Sequence, residues 1–149
     1  MMKRIFLTGL FLVAVQAVFA QTASLKQNNQ WLEKNLNALV GDKDKSKDNV
    51  NPVFRFNDCD AKMEIGTKTD EGFNFGMNFG TTLDQIEKVS YQKEDKGYKL
   101  NLRMKPDKNE KENGGNMDFS LSTSDEALMK EIKKRLETSI AACKSMKKP

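Results

Sequence analysis

Tyr98-Lys99-Leu100-Asn101-Leu102-Arg103-Met104-Lys105 sets apolar side chains at every second position and polar ones between them. That alternation is the signature of a β-strand with one buried and one solvated face. The same period runs through Phe73, Phe75, Met77 and Phe79, with Asn74, Gly76 and Asn78 between them. It runs again through Cys59, Ala61, Met63 and Ile65, separated by Asp60, Lys62 and Glu64. Phe54 and Phe56 alternate on the opposite parity, so a turn or bulge near Asn57-Asp58 must intervene. Val89 and Tyr91 continue the pattern, Leu83 and Ile86 fall in or near a connection, and Met117, Phe119 and Leu121 make a last strand. Asp70-Glu71-Gly72 and Lys96-Gly97 read as turns, and residues 106–116 as a polar loop.

Helical periodicity flanks these strands. Over 24–40, Leu25, Leu32, Leu36, Leu39 and Val40 share one face with Trp31 at its edge. Ser24 and Gln27 fit a capping box, and Gly41 fits a terminator. Over 124–144, Leu128, Ile132, Leu136, Ile140 and Cys143 form a stripe, with Thr123 and Glu126 as a second capping box. The expected fold is therefore α+β. It has an N-terminal helix, five to six antiparallel strands forming a curled sheet or small barrel, and a C-terminal closing helix.

The first residues form a separate unit. Met1-Met2-Lys3-Arg4 precedes an apolar run from Ile5 to Val15, and Val18-Phe19-Ala20 follows. Basic, apolar and small-residue regions in that order make a secretory signal peptide over 1–20, with cleavage expected between Ala20 and Gln21. The apolar run is shorter than the ~20 residues a membrane span needs. One domain, 21–149, is left, with no transmembrane segment expected in it. Removing Lys3 and Arg4 from the 25 Lys and Arg leaves 23 against 21 Asp and Glu, a net of +2. So small a net charge argues against nucleic acid and a membrane surface as partners.

The residue inventory excludes several chemistries. There is no histidine, which removes Ser-His-Asp and Cys-His catalysis and histidine-ligated zinc. The two cysteines, in an exported chain, predict a Cys59–Cys143 disulfide, each lying on an inward position of its element. They are too far apart for a Cys-x-x-Cys redox pair, and Asp58 and Asp60 beside Cys59 would raise a thiol pKa. Asp42, Asp44, Ser46 and Asp48 space their oxygens like the start of a calcium loop. Lys47 stands where that loop needs Gly and Val53 where it needs Glu, so the stretch reads as a solvated linker. No cofactor and no metal is expected.

The surfaces left for binding are the Asn74, Gly76 and Asn78 side of one strand and the Lys99 and Arg103 side of another, with the polar loop 106–116. Glycine in a strand marks either bending or close approach of another backbone. No aromatic interleaves with Lys99 and Arg103 as base stacking would require.

Trp31 in an opening helix, the Phe-x-Phe and Asn-x-Cys-x-Ala-x-Met strands, and the closing helix from Glu126 to Cys143 carry a resemblance. Together they look like small exported Gram-negative proteins of unknown role. The order of strands before a closing helix resembles the pleckstrin-homology-like barrel, which implies a helix-capped barrel and transfers no functional residue. The expectation is an exported, non-catalytic binding or inhibitor-like module with a protein partner. The alternatives are an envelope structural or anionic-surface protein and a hydrolase using carboxylates alone.

Overall fold

A computed structural model describes residues 23–40, 51–68, 74–106 and 115–147. Residues 1–22 with the expected Ala20/Gln21 junction, residues 41–50, residues 69–73 with the expected turn, and residues 107–114 lie outside the described residues. Helix α1 covers 23–39. Strands β1 (Asn51–Asn57), β2 (Asp60–Lys68) and β3 (Asn74–Thr82) follow. A 3-10 turn, Leu83–Gln85, leads to β4 (Ile86–Glu94), β5 (Gly97–Met104) and β6 (Asn116–Leu121), and α2 (Glu126–Met146) closes the chain. Every strand pair is antiparallel.

The α+β class and the helix–strands–helix order hold, but the strands form no single curled sheet and no closed barrel. They divide into two three-stranded sheets, β1-β2-β3 and β4-β5-β6. The 3-10 turn explains the division. Leu83 and Asp84 are buried there, and the Leu83 N–H donates to the Cys59 carbonyl at 2.7 Å, so the chain turns into the core instead of continuing the pleat.

The parity change between Phe56 and Ala61 is a two-residue hairpin turn. Asn57 pairs with Asp60, and Asp58 takes φ 48, a left-handed conformation that aspartate tolerates better than most residues. Cys59 therefore sits in this turn, not on a strand as the alternation implied. Pairing across the turn matches Phe54 with Met63 and Phe56 with Ala61, which brings the two parities onto one face.

Helix α2 starts two residues later than its expected span. Asp125, not Thr123, is its N-cap, accepting from the Leu128 N–H at 3.0 Å; Thr123 Oγ1 accepts from the Asp125 N–H. Met129 replaces Leu128 as the first fully buried residue, followed by Ile132, Leu136, Ile140 and Cys143. From α1, Leu25, Leu32 and Leu36 join them. Each such side chain contributes roughly 2 kcal/mol of apolar burial. The two sheets meet where the Phe54 and Phe119 rings pack edge to face, 5.0 Å apart.

Gly97 permits the start of β5. A Cβ there would stand 2.2 Å from the Leu121 carbonyl oxygen, inside any real contact distance. The outer edge of β1 is covered by α1 side chains. Asn37 both donates to the Phe54 carbonyl (2.9 Å) and accepts from its N–H (2.6 Å), and Glu33 accepts from the Phe56 N–H. One helical turn thus stands in for a neighbouring strand.

Candidate functional site

The outer face of β4-β5-β6 is an exposed polar surface. Tyr98, Leu100 and Leu102 turn inward and are buried, so Lys99, Asn101 and Arg103 turn outward. Register sets three rows across the sheet: Gln92-Lys99-Ser120, Ser90-Asn101-Asp118 and Lys88-Arg103-Asn116. Neither helix covers these rows; all nine residues are exposed or half-buried.

Charge on this face is paired within it. Lys99 Nζ lies 3.2 Å from a Glu94 carboxylate oxygen, and Arg103 Nε 3.2 Å from one of Glu87. Glu87 reaches Arg103 because a register shift between Ile86 and Lys88 leaves it as the extra residue. Asn101 donates to Asp118, and Ser120 Oγ donates to Glu94 at 3.4 Å. Such exposed pairs add little stability. Their effect is to order donors and acceptors on a rigid sheet. At the hairpin end the face opens into a groove of about 690 Å³, bordered by Gln92, Lys93, Glu94, Tyr98 and Ser120 among others.

Asn74, Gly76 and Asn78 lie elsewhere. They belong to β3, paired in register with Lys68, Gly66 and Glu64 of the other sheet. The structure therefore does not join them to Lys99 and Arg103 in one surface. Cys59 and Cys143 are together, with sulfurs 2.09 Å apart, and join the β1–β2 turn to α2.

Two polar features were not apparent in the sequence. The first lies between the helices. Asn28 Nδ2 donates to the Arg135 carbonyl (2.7 Å) and to Ser139 Oγ (2.8 Å), while Ser139 Oγ donates to Asn29 Oδ1 (3.1 Å). Asn29 in turn donates to the Asp58 carbonyl beside the disulfide. Arg135 stacks over Trp31, 4.4 Å from the ring centre, and donates to Glu131. Buried and hydrogen-bonded on both sides, this network sets how the helices and the hairpin turn dock. Its only trace in the sequence is asparagine, a weak helix former, at 28, 29, 35 and 37 of α1.

The second is Asp84, 5% exposed in the 3-10 turn. Its Oδ2 accepts from Lys147 Nζ at 2.8 Å, at the end of α2. Burial alone would push this carboxyl up. Hydrogen bonds from Lys147 and Thr82 and the Lys147 charge outweigh burial and hold it below the ordinary carboxylate range. The pair thus adds stability at pH values above that range, and the stability is lost as pH falls through the lowered value. Lys147→Met should move the acid-unfolding midpoint, followed by circular dichroism, to higher pH, because burial then acts without its counterweight. An unchanged midpoint would show that the pair does not couple to folding.

Tyr98 is raised by burial and by the nearby Glu126 carboxylate, and it packs edge to face on Tyr91. Among the described residues no three His, Cys, Asp or Glu side chains gather as a metal site would need. No helix there is long and apolar enough to cross a membrane. No protein-family model matches the chain, and no curated protein or solved structure matches it.

Proposed function

We propose that this protein is an exported, non-catalytic binding module that engages a protein partner through the outer face of β4-β5-β6. The observation that carries the reading is the balance of that face. Lys88, Lys99 and Arg103 stand beside Glu87, Glu94 and Asp118, and both Lys99 and Arg103 are already paired with carboxylates of their own sheet. A surface of alternating donors and acceptors with no net sign suits a protein surface of mixed polarity. A polyanion or an anionic membrane would call for uncompensated cations. On α2, Lys130, Lys133 and Arg135 are likewise paired, with Glu126, Glu137 and Glu131. That favours binding over the anionic-surface reading.

The carboxylate-hydrolase alternative has less support. Asp84 is the one buried carboxylate among the described residues, and Lys147 holds it ionised, whereas a general acid needs a raised pKa. Export is supported by the disulfide, which persists in oxidising compartments.

The test is affinity capture from envelope extract with the wild-type chain and with the Lys99→Glu/Arg103→Glu variant. The wild type should retain a defined protein that the variant holds at least about tenfold more weakly. Thermal stability should change little, since both cations sit in exposed pairs. Equal capture by the two proteins, or turnover of a substrate that depends on one carboxylate, would overturn the proposal.

A further inference from the structure

The geometry points to a second interaction surface, the edge of β3 that pairs with no strand among the described residues, and to a second copy of this chain as its occupant. Which backbone groups face outward follows from α1. Asn37 occupies both the N–H and the carbonyl of Phe54, so these groups point away from β2. Phe54 pairs with Met63, whose N–H and carbonyl must then face β3, and Met63 pairs with Phe79. Phe79 is therefore bonded to β2. The backbone groups of Asn74, Gly76, Asn78 and Gly80 point to the open side, where no described residue bonds to them in a ladder.

The other three edges are protected. That of β1 is filled by Asn37 and Glu33. That of β6 is short, carries Asp118, and is tied where the Ser122 N–H donates to the Leu39 carbonyl. The β4 edge has an irregular register at Glu87 and carries Lys88, Lys93 and Glu94. Charges and bulges are the usual means of discouraging edge pairing. Strand β3, Asn-Phe-Gly-Met-Asn-Phe-Gly-Thr-Thr, has no charged residue, alone among the six.

Its sequence is also self-complementary. An antiparallel pair with its twofold axis at Asn78 sets Asn78 against Asn78, Gly76 against Gly80, and Asn74 against Thr82 of the second copy. Every one of these positions carries outward backbone groups, so all would be hydrogen-bonded pairs. Glycine faces glycine, which allows close approach. Phe79 falls opposite Met77 of the second copy. Exposure along the row Phe54, Met63, Phe79 rises from 5% to 9% to 44%, so the apolar face of the sheet runs out of the core and ends at this edge. A second copy would continue that row across the axis and give one six-stranded sheet from two chains, an isologous contact.

The experiment is sedimentation of the protein, in the form the producing cell accumulates, across the micromolar range. A monomer–dimer equilibrium is expected. Asn78→Lys should raise its dissociation constant about tenfold or more, because two lysines meet at the axis. Within one chain position 78 is in register with the acidic Glu64, so the change sets no like charge opposite it, and circular dichroism verifies that folding is spared. Asn78→Cys should link the two copies under oxidation, since a hydrogen-bonded pair spaces its Cα atoms about 5.5 Å apart. Thr82→Cys, which meets Asn74 of the second copy, should not. A monomer at every concentration overturns the inference, as does a dimer indifferent to Asn78→Lys and unlinked through position 78. So does a monomer whose β3 edge takes only an extended peptide from another protein.

Discussion

Replacing Cys59 and Cys143 together by alanine should lower the unfolding free energy by about 4–5 kcal/mol while leaving the folded structure in place. The bond closes a loop of sequence separation 84, and in the chain-entropy description the loss arises chiefly from the freedom the unfolded chain regains. Native geometry persists because the turn is held twice more. Asn29 Nδ2 donates to the Asp58 carbonyl at 2.7 Å, and the Cys59 carbonyl accepts from the Leu83 N–H at 2.7 Å. Cys143 is fully buried, but it is one of six buried residues on α2, so the helix keeps its apolar stripe. Urea denaturation measures the effect, and the slope of free energy against urea should rise as the unfolded chain expands. A loss below about 1 kcal/mol would mean that the unfolded chain is already confined without the bond.

This bond also marks how far sequence reading reaches. That two cysteines in a chain expected to be exported pair is almost a matter of count, and strand alternation marks a stretch of each of the six strands by inspection. The division into two sheets has a different origin. It depends on Leu83 and Asp84 turning inward together, and aspartate in a buried turn is tolerable only because Lys147, far along the chain, reaches it. No local pattern encodes that partner. Similarly, Asn28 and Asn29 look like solvent-facing positions of a weak helix until Ser139 and Arg135 come beside them. On α2, Leu128 lies one turn from Ile132, just as Met129 lies three residues from it, and only the direction in which α2 meets β4 and the 3-10 turn chooses Met129 for the core. Alternation likewise defines which side of a strand is polar, but not which strands share a sheet. That is why Asn74 and Asn78 part from Lys99 and Arg103.

Leu136→Ala should cost about 4 kcal/mol, near the upper part of the range for such truncations. Leu136 is 1% exposed, where α2 meets Leu36, Phe54, Leu100 and Phe119 around an apolar gap of about 30 Å³. Cavity cost grows with the space left unfilled, and here the new void would merge with one already present. Its surroundings come from both sheets and both helices, so no single element can move in to refill it. Phe79 borders the same apolar gap but is 44% exposed, and Phe79→Ala, measured on dilute protein, should cost less than half as much. The contrast follows from the row Phe54-Met63-Phe79, which begins under α1 and ends at the rim of the sheet. Thermal or urea unfolding of the two variants decides the matter. Equal losses would place Phe79 inside the cooperative core of the single chain.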